Sequence, residues 1–346
     1  MTTALDRLAR LTIAGAAVVI AVAATLPAPA AQDAVISAAG FAPHLSDYGF
    51  FADLKHEKPV ARVQPYTLIT PLFSDYAEKH RFVYVPGGKT AAYRGGGLID
   101  LPVGSALIKT FGYRQSGDYR KIETRVLLRR ASGWEAVSYA WNADGSDADL
   151  KRAGGRVPVT FTNPSGKAQT ISYAIPNQNQ CKECHALAGR VTPIGPKARN
   201  LNDGHQLASL VSAGLLDTAP ADAPRVARWD DSHATLDDRA RAYLDVNCAH
   251  CHNPSGAASN SGLFLEWDRA DGVTRGIGKH PVAAGRGSGT AGVVIDPGNP
   301  DNSILIYRLS STEPAVAMPE LGRATVHAEG VAMLRAWIAG QHATKP

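Results

Sequence analysis

Two short stretches of the sequence concentrate the side chains that bind metals or react with a ligand. They are "NQCKECHALAG" at 179–189 and "YLDVNCAHCHNPSG" at 243–256, and together they hold all four cysteines of the 346-residue chain. In each stretch two residues separate a pair of cysteines and a histidine follows directly. The residues of this repeated Cys-x-x-Cys-His pattern are Cys181, Cys184 and His185, then Cys248, Cys251 and His252.

This spacing is the attachment signal of a c-type haem. Two thiols reach the two vinyl groups on one edge of a porphyrin and become thioethers, and the adjacent histidine turns its imidazole onto the iron. The sequence therefore predicts two covalently bound haem c groups. Their attachment residues are Cys181 and Cys184 for the first haem and Cys248 and Cys251 for the second, with His185 and His252 as the iron ligands.

Three other chemistries use paired cysteines. In exported proteins, cysteines commonly form disulfides. In other proteins, two Cys-x-x-Cys pairs together bind one structural zinc, or a single pair acts as a thiol-redox motif. The histidine after both pairs, the apolar N-terminal segment described below and the lack of leftover cysteines favour haem over these alternatives.

Met318, in "AMPE" at 317–320, is the predicted sixth ligand of the second haem iron. A methionine thioether is a soft ligand that favours reduced iron and raises the potential. Of the other two methionines, Met1 leaves with the N-terminal segment, and Met333 lies on the apolar face of a predicted helix, where we expect it to pack in the core.

The first haem lacks an obvious sixth ligand, because no methionine lies between the two motifs. His205 is the nearest candidate, His80 and His233 are weaker ones, and an open coordination site is a further possibility. Lys197 and Arg199 follow the first motif, and we expect them to pair with haem propionates.

Residues 1–31 read as a cleavable signal peptide. Two arginines precede the apolar run "LTIAGAAVVIAVAATL", and small residues near Ala31 suit cleavage. A periplasmic location follows. No later segment is apolar enough to span a bilayer, so the mature chain should have no membrane span. The formal net charge of +5 is small and no run of Lys or Arg suits a groove for nucleic acid, so we expect no nucleic-acid partner.

The region 32–176 predicts an all-β, sandwich-like domain. "RKIETRVLLRR" at 120–130 alternates with a period of two, which indicates a half-buried antiparallel strand, and "GWEAVSYAWN" follows it after a short turn. Further predicted strands are "TLIT", "RFVYVP", "ALIKTFGY", "VPVTF" and "TISYAIP", separated by Gly- and Pro-rich turns.

The rest of the chain predicts a mainly α haem region, so the fold class is multi-domain. Residues 177–229 form the first haem-binding segment, and 230–346 form a class I cytochrome c-like domain with the second haem. A helix at 235–247 with Thr235 as its N-cap leads into Cys248, and a terminal helix carries Trp337 on its apolar face. We expect the two helices to cross with Tyr243 and Trp337 near the contact.

The sequence resembles a family of exported di-haem c-type cytochromes that carry a β-rich region before the haem sites. The matching segments are "YTLITPLFSDYAEKHRFVYVP", "FGYRQSGDYRKIETRVLLRR", "PNQNQCKECH", "PIGPKARNLN", "YLDVNCAHCHNPSG" and "MPELGR". This resemblance implies two covalent haems, a periplasm-like location and electron transfer with redox partner proteins. A di-haem redox enzyme, peroxidase-like and with an open site on the first haem, is the alternative.

Overall fold

The computed structural model of the chain describes residues 29–115 and 117–341. The predicted signal peptide therefore lies, apart from its last residues 29–31, outside the described residues. Within the described ranges, no helix combines the length and apolar character needed to cross a membrane.

The largest element is a six-stranded antiparallel sheet in which each strand pairs with its neighbours in sequence. Its strands run in the order β3 to β8; short turns connect β5 to β6 and β6 to β7, whereas longer segments join β3 to β4 and β4 to β5. Three small two-stranded sheets accompany it. The twelve strands in the described part of the chain are β1 Phe51–Asp53, β2 Lys58–Pro59, β3 Val63–Pro65, β4 Glu78–Tyr84, β5 Ala106–Gln115, β6 Asp118–Arg130, β7 Gly133–Trp141, β8 Ala148–Leu150, β9 Gly155–Thr162, β10 Ala168–Ile175, β11 Ala186–Leu187 and β12 Arg190–Val191.

The central strands are covered on both faces, which differs from the half-buried strand that the alternation predicted. In β6, Val126 and Leu128 lie in one core, while Leu127 lies in a second core on the opposite face. Glu123 and Leu127, on the face predicted to be solvated, are also buried. The expectation was wrong because segments far along the sequence pack over that face.

Each face of the large sheet has its own cover. Helix α1, Asp33–Ser37, and the residues up to Phe50 fill one face. The other face packs against Leu201, Leu207 and Leu210, which come after the first Cys-x-x-Cys-His motif. The predicted β-rich region is thus a large antiparallel sheet, and helices from beyond residue 176 cover its second face.

Seven α-helices are described, and the described residues are mixed α and β with about 23% helix. Between the helices, loops make up most of the C-terminal part. The mainly α character predicted for that part is thus limited to a few helices. The helices after α1 are α2 Gln178–His185, α3 Ala198–Leu201, α4 Gln206–Ser212, α5 Leu236–Asn247, α6 Ile304–Leu309 and α7 Ala328–Ala339.

Helices α5 and α7 pack against each other as predicted. Tyr243 and Trp337 lie in one core with Leu334 and Ile338, and the indole N–H of Trp337 donates a hydrogen bond to the Asp237 carboxylate at 3.1 Å. The hydroxyl of Thr235 accepts from the Asp238 N–H at 3.1 Å, which confirms the N-cap. Met333 is buried in the same core, as expected.

One strand prediction was wrong. Residues 67–70, "TLIT", form no strand. Instead, the N–H of Thr70 donates to Oδ1 of Asn200 at 2.8 Å, and the Asn200 amide donates back to the Thr70 carbonyl. The Asn200 side chain, 130 positions away, thus satisfies the backbone groups of Thr70 that a neighbouring strand would otherwise pair with.

Candidate cofactor cavity

The first motif lies on the short helix α2, which begins two residues after β10 ends. Asn177 caps the helix: its side chain accepts from the Gln180 N–H at 2.8 Å, and the Gln180 side chain accepts from the Asn177 N–H at 3.0 Å. This reciprocal cap fixes the first turn directly before Cys181. Cys181 is buried against the sheet side chains Leu127 and Ala136.

His185 is held in one tautomer by its backbone surroundings. Its Nδ1 lies 2.9 Å from the Thr192 carbonyl oxygen, which only accepts, so Nδ1 carries the proton and Nε2 keeps its lone pair. The Thr192 N–H in turn donates to the His185 carbonyl at 2.7 Å. Burial lowers the pKa of His185 to about 3, so the imidazole is neutral at pH 7.

The second motif continues from the end of α5. The N–H groups of Cys248 and His252 donate to the carbonyls of Leu244 and Cys248, both at 2.9 Å, so the motif winds on in helix-like turns. The Ser261 hydroxyl donates to the Ala258 carbonyl at 2.6 Å and therefore accepts from Nδ1 of His252 at 3.3 Å.

His252 thus has the same tautomer as His185, and burial lowers its pKa as well. Within the described part of the chain, Nε2 of neither histidine has a hydrogen-bond partner. A neutral imidazole with Nδ1–H engaged and Nε2 free is the form in which histidine binds a metal, since the bonded Nδ1–H fixes the ring and raises its basicity.

The two motifs are direct neighbours in the fold. The N–H of Ala188, three residues after His185, donates to the Ser255 carbonyl at 2.9 Å, and Leu187 forms an isolated antiparallel bridge with Gly256. The structure therefore brings together two clusters that are more than sixty residues apart in sequence.

A large cleft opens beside the first motif. Its walls come from the sheet, from α2, from the end of α5 and from residues 318–323. Cys181, Cys184, His185 and Met318 line it. Cys248, Cys251 and His252 are not among its lining residues, although His250 of the same motif is.

The structure describes no disulfide between the four cysteines, of which Cys181 is buried and the other three are half-buried. Burial raises the pKa of Cys181 and Cys184, that of Cys248 to about 12 and that of Cys251 to about 11. Reactive or metal-binding thiolates have lowered pKa values.

Met318 lies in a loop that several polar contacts fix. Its N–H donates to the Arg308 carbonyl at 3.1 Å, and the Arg323 guanidinium donates to the carbonyls of Arg308 and Ser311 at 3.2 and 2.7 Å. The buried Nε of Arg323 has no hydrogen-bond partner in the described ranges, and Arg323 lines the cleft.

Asp75 of the β region holds the end of the same loop. Its Oδ1 accepts from the N–H groups of Ala324 and Thr325 at 2.7 and 2.8 Å, and from the Thr325 hydroxyl at 3.0 Å. Sequence reasoning did not identify Asp75, because its partners are about 250 residues away.

The three histidines proposed as sixth ligands of the first haem do not line the cleft. The ring of His80 stacks on Tyr119 at 4.2 Å, and its Nδ1 lies 2.5 Å from the Glu57 carboxylate. His205 and His233 are exposed. The histidines that do line the cleft, besides His185, are His250 and His327, and neither was singled out from the sequence.

Lys197 and Arg199 pair with a protein carboxylate. Lys197 donates to Asp245 at 2.8 Å, and Arg199 donates to both Asp245 oxygens at 2.9 and 3.1 Å. Asp245 is 1% exposed, so this is a buried ion cluster that ties α3 to α5. The sequence offered no sign of this partner for the two cations.

A metal bound by protein donors alone requires several of them close together. In the parts of the chain that the structure describes, no group of three or more His, Cys, Asp or Glu side chains could hold a metal ion. A haem iron takes four ligands from the porphyrin, so it needs only one or two protein ligands and no such group.

No protein-family model, no curated protein and no solved structure matches this chain.

Proposed function

We propose that the protein is an exported, periplasmic di-haem c-type cytochrome that transfers electrons between redox partner proteins. Its two haem c groups are attached at Cys181 and Cys184 and at Cys248 and Cys251. The observation that carries the proposal is that both Cys-x-x-Cys-His motifs lie side by side, each with its histidine held by Nδ1 and free at Nε2.

The residues of each motif have distinct tasks. The free Nε2 of His185 and of His252 is the donor atom toward the iron, and Thr192 and Ser261 keep each ring in the required tautomer. Haem c, when bound, supplies an iron that gains and loses one electron. The hydrogen bond between the Ala188 N–H and the Ser255 carbonyl keeps the two motifs at a fixed separation. A fixed separation suits the transfer of an electron from one haem site to the other.

The class I cytochrome c-like domain at 230–346 belongs to the same proposal. Its support is the contact of α5 with α7. Met318 lines the cleft beside the first motif, whereas Cys248, Cys251 and His252 do not, so its role as thioether ligand of the second haem iron stays a prediction. Residues 177–229 would hold the first haem against the β-rich region.

A peroxidase-like di-haem enzyme is the second candidate function. One observation favours it: the three histidines considered as sixth ligands, His205, His80 and His233, lie outside the cleft beside His185. Met318, His250 and His327 do line this cleft, so the enzyme requires that none of them binds the iron held by His185.

The visible spectrum of the oxidised, haem-loaded protein tests the proposed function. Electron transfer predicts two low-spin haems whose spectrum is unchanged by cyanide or peroxide. A high-spin band that shifts on adding either ligand would contradict the carrier and support the enzyme.

A further inference from the structure

Three cations form one row across the central strands of the large sheet. In the register of the sheet Arg81 lies opposite Lys109, and Lys109 lies opposite Arg125. We call Arg81, Lys109 and Arg125 the cationic row. All three side chains line the cleft beside the first motif.

Such a row is unfavourable by itself. Like charges directly opposite each other on neighbouring strands destabilise a sheet, and burial adds a desolvation cost. Arg81 is 8% exposed. Burial and the neighbouring charges of Arg125 and Arg81 hold the pKa of Lys109 well below its usual value. A fold that keeps this row gains stability when an anion binds against it.

The protein supplies little compensating charge. Glu123 pairs with Arg125, at 2.5 Å between Oε1 and the guanidinium, and it also accepts from the Tyr173 hydroxyl. Within the described ranges, Lys109 and Arg81 form no ion pair. Among the described residues that line the cleft there is no Asp or Glu, whereas Arg323 adds a further cation; Lys197 also lines the cleft but is paired with Asp245.

The cleft also has an apolar wall beside the cationic row, so it suits an amphipathic ligand. On the same sheet face, the next row beside the cationic row consists of Val83, Leu107, Leu127 and Ala136, and three of these four line the cleft. A ligand with a flat apolar body and a carboxylate would contact both rows at once.

We propose that the cationic row is a carboxylate-binding site in the wall of the cleft. The carboxylate has two possible sources, the propionate groups of the haem held by the first motif or a small free carboxylate. The first source rests on the proposed function, and the second does not. In either case the β-rich region takes part in ligand binding and is more than a structural support.

Lys109→Met is the variant that tests the site, because Lys109 has no hydrogen-bond partner in the described ranges that the change would leave unpaired. Arg129→Met is its matched control: Arg129 lies on the same strand and sheet face as Arg125 but does not line the cleft. Arg81→Met is the second variant if Lys109→Met does not fold.

Two readouts distinguish the sources. If the site binds propionates, the paired carboxylate keeps Lys109 protonated. Lys109→Met then removes a positive charge, which favours the oxidised iron and lowers the midpoint potential of one haem, and Arg129→Met leaves both potentials unchanged. If the site binds a free carboxylate, the wild type has a higher Tm in acetate than in chloride at equal ionic strength. In Lys109→Met the Tm values in the two salts should be equal.

The proposal is overturned if Lys109→Met and Arg129→Met behave alike in both measurements. The intact mass of each preparation is determined first. A mass without haem contradicts the proposed function alone, and the acetate comparison then still decides whether the cationic row binds carboxylates.

Discussion

Ala188 and Ser255 join the two Cys-x-x-Cys-His motifs through a backbone hydrogen bond of 2.9 Å. Ala188 has φ of 50°, in the left-handed region, and Gly189 follows it with φ of 74°. The chain thus turns sharply after His185 in order to reach the loop that follows His252. This local backbone geometry sets how the two motifs face each other.

Replacing Ala188 tests this link. Ala188→Pro imposes φ near −65° and removes the N–H donor, so we expect it to lower the free energy of unfolding by more than about 1 kcal/mol. Ala188→Gly keeps the donor and suits positive φ, and it should stay within about 1 kcal/mol of the wild type. Urea unfolding measures both. Equal stability of the two variants would show that the hydrogen bond does not hold the motifs together.

Met318→Ala should remove the weak near-infrared sulfur-to-iron band and lower one midpoint potential, because the soft thioether favours reduced iron. Met333→Leu is the control, since Met333 is packed in the core between α5 and α7 and a swap of similar volume costs less than about 1.5 kcal/mol. Near-infrared absorption and potentiometry check both variants. A band that persists in Met318→Ala would rule out this ligand.

The buried imidazole of His327 should make stability depend on pH. Burial lowers its pKa to about 4, and its ring stacks on Phe73 at 4.3 Å. The folded chain keeps this ring neutral, whereas the unfolded chain protonates it near pH 6.5. The contribution is therefore fully present above pH 6.5 and is lost as the pH falls from 6.5 to 4. For this group alone the loss is about 2 kcal/mol between pH 7 and 5.

His327→Phe removes the titrating group and keeps an aromatic ring. Urea unfolding at pH 7 and pH 5 should give a smaller difference in stability for this variant than for the wild type. His205→Gln, which changes an exposed histidine outside the cleft, should leave the difference as it is. If His327→Phe were as sensitive to acid as the wild type, other groups would account for the acid response.

Asp245→Asn should be strongly destabilising. The change leaves Lys197 and Arg199 without their buried carboxylate, and breaking such a cluster costs about 3–5 kcal/mol. Asp230→Asn removes the partner of Arg228 in an exposed pair and should cost less than about 1 kcal/mol. Chemical denaturation compares the two. A small effect at Asp245 would mean that water or another anion compensates the two cations.

The sequence predicted local features well. The helix that leads into Cys248, its cap at Thr235 and the contact of α5 with α7 follow from side-chain periodicity and capping chemistry, which act over a few residues. Most of the strands of the large sheet were predicted for the same reason. The haem assignments of the two motifs stay predictions, since they depend on a reaction with a cofactor.

Long-range partners could not be predicted. The carboxylates that pair with Lys197 and Arg199 or hold the Met318 loop lie tens to hundreds of residues from the groups they contact. The cationic row was also missed, because charges that alternate along a strand normally indicate a solvated face. The segments that pack over that face later in the sequence form the cleft that Arg125 lines.

The intact mass of the protein, matured with export and haem-ligation machinery, tests the central claim most directly. The account predicts a polypeptide carrying two covalent haems, and a polypeptide carrying one when Cys248 and Cys251 are both replaced by alanine. A bare polypeptide from the wild type, or a metal bound by free thiolates, would contradict it.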